Sequence, residues 1–297
     1  MIIKDLKITN SVGRSIEFGR DFRIADDFIM SGLGALVNYS ASTEDGSNYQ
    51  STKIQNREFD IPFFIRKQLS ESFWIEDRRN LAYSVLNPKL NPFRIDITTN
   101  GGSEYYLYAN LEGAPLFPVN FNNDNSGWQN GIVSFSCSDP FFYKNGDSVN
   151  VDVAVFNPSF EFPLEINPSE GIEFASRSQT LVFNVENKGQ DSTGFNITFR
   201  ASGYLSNPSI VNVNTGRGIK INTDMEEGDV ILISTYKRRK RVTLMRNGTE
   251  TNIFSKLDLD STFLQLEIGD NLFRYNASEN VDKLQTNINF VPKYLGV

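Results

Sequence analysis

A mainly β protein of two domains is what this sequence predicts, and three observations carry the prediction. Strand and turn formers dominate, with 24 Phe, 11 Tyr and 21 Gly, while helix-favouring runs of Ala, Leu, Glu and Lys are scarce. Short stretches alternate apolar and polar residues with a period of two and end at Gly, Pro, Asn or Asp. At 297 residues the chain can bury two ordinary cores more easily than one very large one. The expected division is 1–145 and 146–297.

In the first domain, residues 1–24 read as a hairpin: Ile2, Leu6 and Ile8 alternate with polar residues, Asn10-Ser-Val-Gly13 turns, and 15–24 returns. Residues 28–39 form an apolar strand in which Gly32 and Gly34 mark a bulge. The polar stretch 43–48 follows as an exposed hairpin tip, or as a loop reaching a neighbouring subunit. A strand over 57–65 precedes the one convincing helix, 71–86. Ser70 or Ser72 caps it, Glu76 and Asp77 suit its positive end, and Asn87-Pro88 stops it. Trp74, Ile75, Leu81, Ala82 and Val85 give that helix one apolar stripe with which to lie across a sheet. Strands over 93–98 and 105–110 flank Thr99-Asn-Gly-Gly-Ser103, a strong hairpin signal.

The domain ends in Gly127-Trp-Gln-Asn-Gly-Ile-Val-Ser-Phe-Ser-Cys-Ser-Asp-Pro-Phe-Phe-Tyr143. Val133, Phe135 and Cys137 point one way, Ile132, Ser134, Ser136 and Ser138 the other. Asp139-Pro140 stops the strand, since proline supplies no amide hydrogen and restricts the residue before it. Phe141, Phe142 and Tyr143 then form an aromatic plug before the turn-rich exit Lys-Asn-Gly-Asp.

The second domain reads as short strands at sandwich spacing: 179–187, 193–203, 209–214, 217–222, 229–235, 241–246, 251–254 and 263–267, with broken edge segments near Asn157-Pro-Ser and Ile166-Asn-Pro-Ser. Asn247-Gly248 is a two-residue hairpin turn.

Composition excludes much. The net charge of −7 is shared between the halves, 14 basic and 17 acidic residues over 1–146 against 15 and 19 beyond, so neither half binds nucleic acid by bulk charge. With no histidine, imidazole acid-base chemistry and Ser-His-Asp triads are ruled out. The single cysteine, Cys137, reads as a buried thiol. No stretch approaches the roughly 20 apolar residues of a membrane span, and the N-terminus has no signal-peptide architecture, so synthesis in a cytosol is expected.

The strand Gly-x-x-Ser-Phe-x-Cys-x-Asp-Pro-Phe-Phe-Tyr, preceded by Glu112-Gly-Ala-Pro-Leu-Phe-Pro118, resembles the hinge of siphophage distal tail proteins. Glu227-Gly-Asp-Val-Ile-Leu-Ile-Ser-Thr235 and Ser261-Thr-Phe-Leu-Gln-Leu-Glu-Ile-Gly-Asp-Asn-Leu-Phe-Arg-Tyr275 look like the galectin-like sandwich at their C-terminus. The resemblance implies a β-sandwich or barrel-like ring domain with one helix, then a galectin-like β-sandwich. It implies a structural protein of the virion, at the distal end of the tail and made in the host bacterial cytoplasm. Six copies would close head to tail around a passage for DNA and the tape-measure protein. The implied partners are the major tail protein, a tail-associated hub protein, the tape-measure protein and receptor-binding or other baseplate proteins, with DNA only in transit and no membrane insertion. No cofactor, metal or catalytic residue is implied. In that family the hinge motif is Phe135, Cys137, Asp139, Pro140, Phe141, Phe142 and Tyr143.

Outside the hinge, Lys237-Arg-Arg-Lys-Arg241 is the one charge run. Lys237, Arg238, Arg239, Lys240 and Arg241 read as a solvated hairpin tip or, functionally, as a contact patch for an acidic partner before DNA. Asp26-Asp27, Glu226-Glu227-Gly-Asp229 and Asp258-Leu-Asp260 lack the spacing of a calcium loop or a paired-carboxylate site, so a carboxylate-only glycosidase has no support. The alternative function is a carbohydrate-binding module for host-wall glycan, with Tyr204, Tyr236 or Tyr275 as an aromatic platform.

Overall fold

The computed structural model describes residues 3–19, 21–25, 28, 30, 32–66, 75–119, 124–125, 128–153, 156–158, 175–177 and 181–296. The chain divides into two compact units, Met1–Gly146 with Tyr294–Val297, and Asp147–Lys293. The last four residues therefore belong to the first unit, whereas the sequence reading carries the second domain to the end of the chain.

The first unit contains β1 (Ile3–Thr9), β2 (Ser15–Phe18), β3 (Phe22–Ile24), β4 (Ala35–Ala41), β5 (Ser47–Ile54), β6 (Arg57–Arg66), α1 (Ile75–Val85), β7 (Phe93–Thr99), β8 (Glu104–Leu111), β9 (Asp124–Asn125), β10 (Trp128–Cys137) and β11 (Tyr143–Lys144). Seven strands run in the order β8-β7-β1-β2-β3-β6-β10, and β10 pairs back onto β8 through Phe135↔Leu111 and Ser136↔Asn110, closing a barrel. Period-two alternation fills it: Leu6 and Ile8, Phe59, Ile61, Phe63 and Ile65, Phe93, Ile95 and Ile97, and Val133, Phe135 and Cys137 all point inward. Closure removes the sheet edges that would otherwise be left unpaired.

Several local expectations change. The return strand expected over 15–24 is broken into β2 and β3, which meet in parallel only at Phe18↔Phe22. Helix α1 is described over Ile75–Val85; the expected start at 71, the proposed caps and Trp74 lie outside the described residues. Ala82, Val85 and the following Leu86 enter the barrel core, but Leu81 is 40% exposed, so the buried stripe is narrower than the sequence suggests. Asn10 joins the first turn to the helix end: its Oδ1 accepts the amides of Val12 (3.2 Å) and Arg14 (3.0 Å), and its Nδ2 donates to the Val85 carbonyl (3.0 Å). The strand expected over 28–39 is confined to β4, and its irregularity lies between Asn38 and Tyr39 rather than at Gly32 or Gly34. Among the described residues β4 pairs only with β5, because the barrel closes without them.

The second unit contains β12 (Val149–Asp152), β13 (Phe156–Pro158), β14 (Ala175–Arg177), β15 (Val182–Asn187), β16 (Asn196–Ala201), β17 (Leu205–Ser206), β18 (Ser209–Asn212), β19 (Gly218–Lys220), β20 (Asp224–Met225), β21 (Val230–Ser234), β22 (Arg241–Arg246), β23 (Thr249–Asn252), β24 (Gly269–Asn276) and β25 (Leu284–Phe290). A six-stranded sheet, β12-β25-β16-β21-β22-β23, and a four-stranded sheet, β15-β24-β18-β19, share one core built on Phe195, Ile197, Phe199, Ile231, Ile233, Phe273 and Ile288. β13 and β14 pair with each other; the Ile166-Asn-Pro-Ser segment lies outside the described residues.

Six of these strands, β12, β14, β17, β20, β24 and β25, are not expected from sequence, and β24 and β25 are the long ones. The strand placed at 263–267 is an extended segment with one bridge, Leu266↔Thr193, and the true strand is β24. Asn271 is the reason. It is buried within β24, accepting the Glu267 amide (3.0 Å) and donating to the carbonyls of Glu267 and Gly269 (2.9 Å each), while Leu272 faces out, so polarity is a poor guide there. β25 buries Leu284, Thr286, Ile288 and Phe290 but alternates them with strand-poor Asn. Its outward Asn287 donates to Asn150 Oδ1 (3.1 Å) and Asp152 Oδ1 (2.6 Å), tying it to β12. No helix among the described residues is long and apolar enough to cross a membrane.

Candidate assembly surfaces

Three surfaces follow from this architecture. The first is the junction after β10. Phe135 and Cys137 end the inward row of that strand, Pro140, Phe141 and Phe142 are buried behind them, and Tyr143 opens β11. The Phe142 backbone forms a two-way bridge with Tyr294, each amide donating to the other's carbonyl at 2.9 Å. Arg57, which faces Cys137 in the β6–β10 register, holds this bridge from beneath. Its Nε donates to the Pro140 carbonyl (2.9 Å), one terminal nitrogen donates to the Leu295 carbonyl (2.7 Å), and its guanidinium lies 4.6 Å from the centre of the Phe142 ring. Burial lowers its pKa from the ordinary guanidinium value.

Around this clasp, Tyr143 donates to Asp139 Oδ2 (2.7 Å) and stacks on Tyr106 at 5.6 Å. Arg94 lies over the other partner of that stack, 4.2 Å from the centre of Tyr106, and donates to Asp96 and Asn145 (2.8 Å each). Cys137 is fully buried, and desolvation pushes its thiol up to about 12, with Arg57 acting in the opposite direction. The chain thus leaves the first unit and returns to it within one packed cluster. Arg57 and Tyr294-Leu295 escape sequence reading because their partners lie far away along the chain; an arginine inward on an apolar strand is the one signal present.

The second surface is the β4–β5 arm. Val37, Tyr39 and Ala41 share one face with their register partners Thr52, Tyr49 and Ser47, and Tyr39 meets Tyr49 edge-on at 6.5 Å. Tyr39 is 60% and Tyr49 62% exposed. The tip 42–46 joins them, so the stretch expected to be a hairpin tip is one. A two-stranded hairpin with an apolar face and no third strand is marginal in water.

The third is the cationic run, which forms the turn 235–240 between β21 and β22 and the first residue of β22. Lys240 lies 4.8 Å from the centre of the Phe263 ring, and Arg241 pairs with Glu250 at 3.3 Å. Lys237, Arg238 and Arg239 are exposed and have no ion-pair partner among the described residues. Of the tyrosines considered as a sugar platform, Tyr275 is buried in the core, Tyr236 half-buried and Tyr204 exposed. Asp258 serves a turn, accepting the Asp260 amide (3.1 Å) and Asn222 Nδ2 (3.0 Å). Asp229 is buried on Arg246, whose Nε reaches both carboxylate oxygens at 3.0 Å, and on the Glu226 amide (2.8 Å). These contacts hold its carboxyl below the usual range.

Residues 188–294 match the family described as siphovirus-type tail component, C-terminal domain. The fold is similar to that of the Dit protein of phage SPP1, with a TM-score of 0.66 and 14% identity over 97% of this chain and 98% of that one. It is also similar to a chain of the phage P2 baseplate in its activated conformation, with calcium (TM-score 0.53, 12% identity, 97% and 98% covered) and with strontium (TM-score 0.52, 12% identity, 98% of each). No curated protein matches the chain.

Proposed function

We propose, from the match of residues 188–294 to the siphovirus-type tail component C-terminal domain, a structural role at the distal end of a siphophage tail, as the hub on which the tip is organised. The observation that carries this reading is the shared fold, over nearly the whole of both chains, with SPP1 Dit, which is described as a paradigm of the hub of the adsorption apparatus in phages infecting Gram-positive bacteria. The similarity to a chain of the P2 baseplate supports it.

In this reading six copies close head to tail into a ring through their first units, around a passage for DNA and the tape-measure protein. Heterologous contacts close when the rotation allows. The arm supplies the contact: the Val37-Tyr39-Tyr49 face, exposed among the described residues, packs on the adjacent copy. The second unit supports receptor-binding or other baseplate proteins. The work is geometric, with partners held by shape and packed surface, and no reaction is catalysed.

The test is the mass of the purified chain in solution by light scattering, over a range of protein concentrations and at two salt concentrations. The expected particle is six times 33.6 kDa, or a stack of such rings. A single-chain mass under every condition, unchanged when the hub and major tail proteins are added, overturns the ring.

A further inference from the structure

Two surfaces of opposite charge lie outside the arm contact, and the acidic one borders the Arg94 pairs beside the junction clasp. The 235–240 turn is anchored at its end by Lys240 on Phe263 and Arg241 on Glu250, and it is tightened by Arg238, whose φ is 68°. Lys237, Arg238 and Arg239 are thereby presented together on a short support. They stand in a half of the chain that carries more acid than base, which disfavours a long polyanion as their ligand and favours a small, local acidic site.

The outer wall of the barrel provides such a site. A groove of about 670 Å³, within the range of pockets that receive ligand-sized groups, is lined by Asp5, Glu17, Asp21, Asp96 and Glu104. Among the described residues Lys7 is its one basic lining residue, and it is held by Glu17 at 2.7 Å. Asp21 is paired with Arg78 (3.0 Å) and Asp96 with Arg94 (2.8 Å). Asp5 and Glu104 have no ion pair among the described residues; Glu104 accepts one hydrogen bond, from Asn145 Nδ2 at 3.3 Å.

We infer that the Lys237-Arg238-Arg239 tip of one copy docks in the acidic groove of a second copy. Charge complementarity carries the assignment: three cations without ion pairs among the described residues, on a protruding turn, meet a concave wall on which Asp5 and Glu104 are the carboxylates without them. The pairs are solvent-exposed, so the contact is fast, salt-sensitive and individually weak. It is a separate contact from the arm-mediated ring and does not depend on it.

The test uses the full chain, followed by sedimentation velocity at low and high salt. Reversing the tip (Lys237→Glu, Arg238→Glu, Arg239→Glu) or the groove (Asp5→Lys, Glu104→Lys) is expected to weaken salt-sensitive self-association roughly 10-fold or more, as removal of complementary interface charges does. An equimolar mixture of the two variants is expected to associate again, because each acidic tip then meets a basic groove. Self-association of either variant at the wild-type level, or a mixture no stronger than its components, overturns the inference. So does a tip reversal that abolishes binding of a single-stranded DNA oligonucleotide and leaves self-association unchanged. Failure of the ring reading is seen separately, since altering the arm would then leave particle mass unchanged while the charge swap still works.

Discussion

At the scale of single residues, the junction rests on Arg57. It satisfies the buried Pro140 carbonyl and reaches the Leu295 carbonyl, and it covers Phe142, so its loss removes the Arg57 donor from a buried acceptor. Arg57→Ala is expected to cost about 2–4 kcal/mol in urea unfolding, the range for orphaned buried groups bonded to a charge. Cys137 sits beside it and gives a pH signature. In the unfolded chain its thiol ionises from about pH 8.5, whereas in the fold it stays neutral to about 12. Above pH 8.5 the unfolded state therefore binds fewer protons than the folded one, and stability falls as pH rises toward 12. Cys137→Ala removes that component of the slope between pH 9 and 11, and iodoacetamide at pH 8 labels the wild-type thiol only after denaturant is added. Gly131 is a point of close approach inside the barrel. A Cβ there would lie 2.6 Å from the Phe63 ring and 2.9 Å from that of Phe117, so Gly131→Ala is expected to lower stability by about 1–3 kcal/mol through overpacking.

At the scale of elements, the arm and the barrel strands obey opposite rules. β6 and β10 pair over their full length, Trp128↔Arg66 to Cys137↔Arg57, and alternate cleanly, so their strands were legible from residue order. β4 alternates less and is almost entirely exposed, yet it is a strand because β5 lies beside it. Replacing Tyr39 and Tyr49 together by Ser is expected to leave the thermal midpoint of the isolated chain within a few degrees, since surface changes cost little, while shifting the light-scattering mass from the ring toward the monomer. β24 and β25 were hidden for a definite reason: buried Asn271 and exposed Leu272 invert the polarity rule in one, and outward asparagines lower the strand signal in the other. Only the hydrogen-bond partners, Glu267 and Gly269 for the first and Asn150 and Asp152 for the second, make those residues good strand residues.

At the scale of the whole molecule, the return of the chain end to the first unit has an energetic consequence. Tyr294 supplies both hydrogen bonds of the Phe142 bridge and meets Tyr105 edge-on at 5.8 Å, and Leu295 receives Arg57. A chain ending at Lys293 loses all of these while keeping every described strand. It is expected to show a lowered first-unit transition, by about 2–4 kcal/mol for the lost buried partners, with the second-unit transition little changed. Differential scanning calorimetry distinguishes this from uniform destabilisation, in which both transitions would move together.

The sequence by itself determined the β class, the inward face of the long strands, the stop at Asp139-Pro140, the position of the Lys237–Arg241 run between two strands, and the absence of histidine chemistry. These follow from local rules: side-chain alternation, proline geometry, turn residues and composition. Tertiary structure decided what no local rule contains. It closed seven strands into a barrel through β8 and β10, excluded β4 and β5 from that barrel, set Arg57 beneath residues 83 and 238 positions away, and returned Tyr294 to Phe142. Each of those outcomes depends on which distant group satisfies a buried carbonyl or fills a core, and that choice is made only when the chain has folded around it.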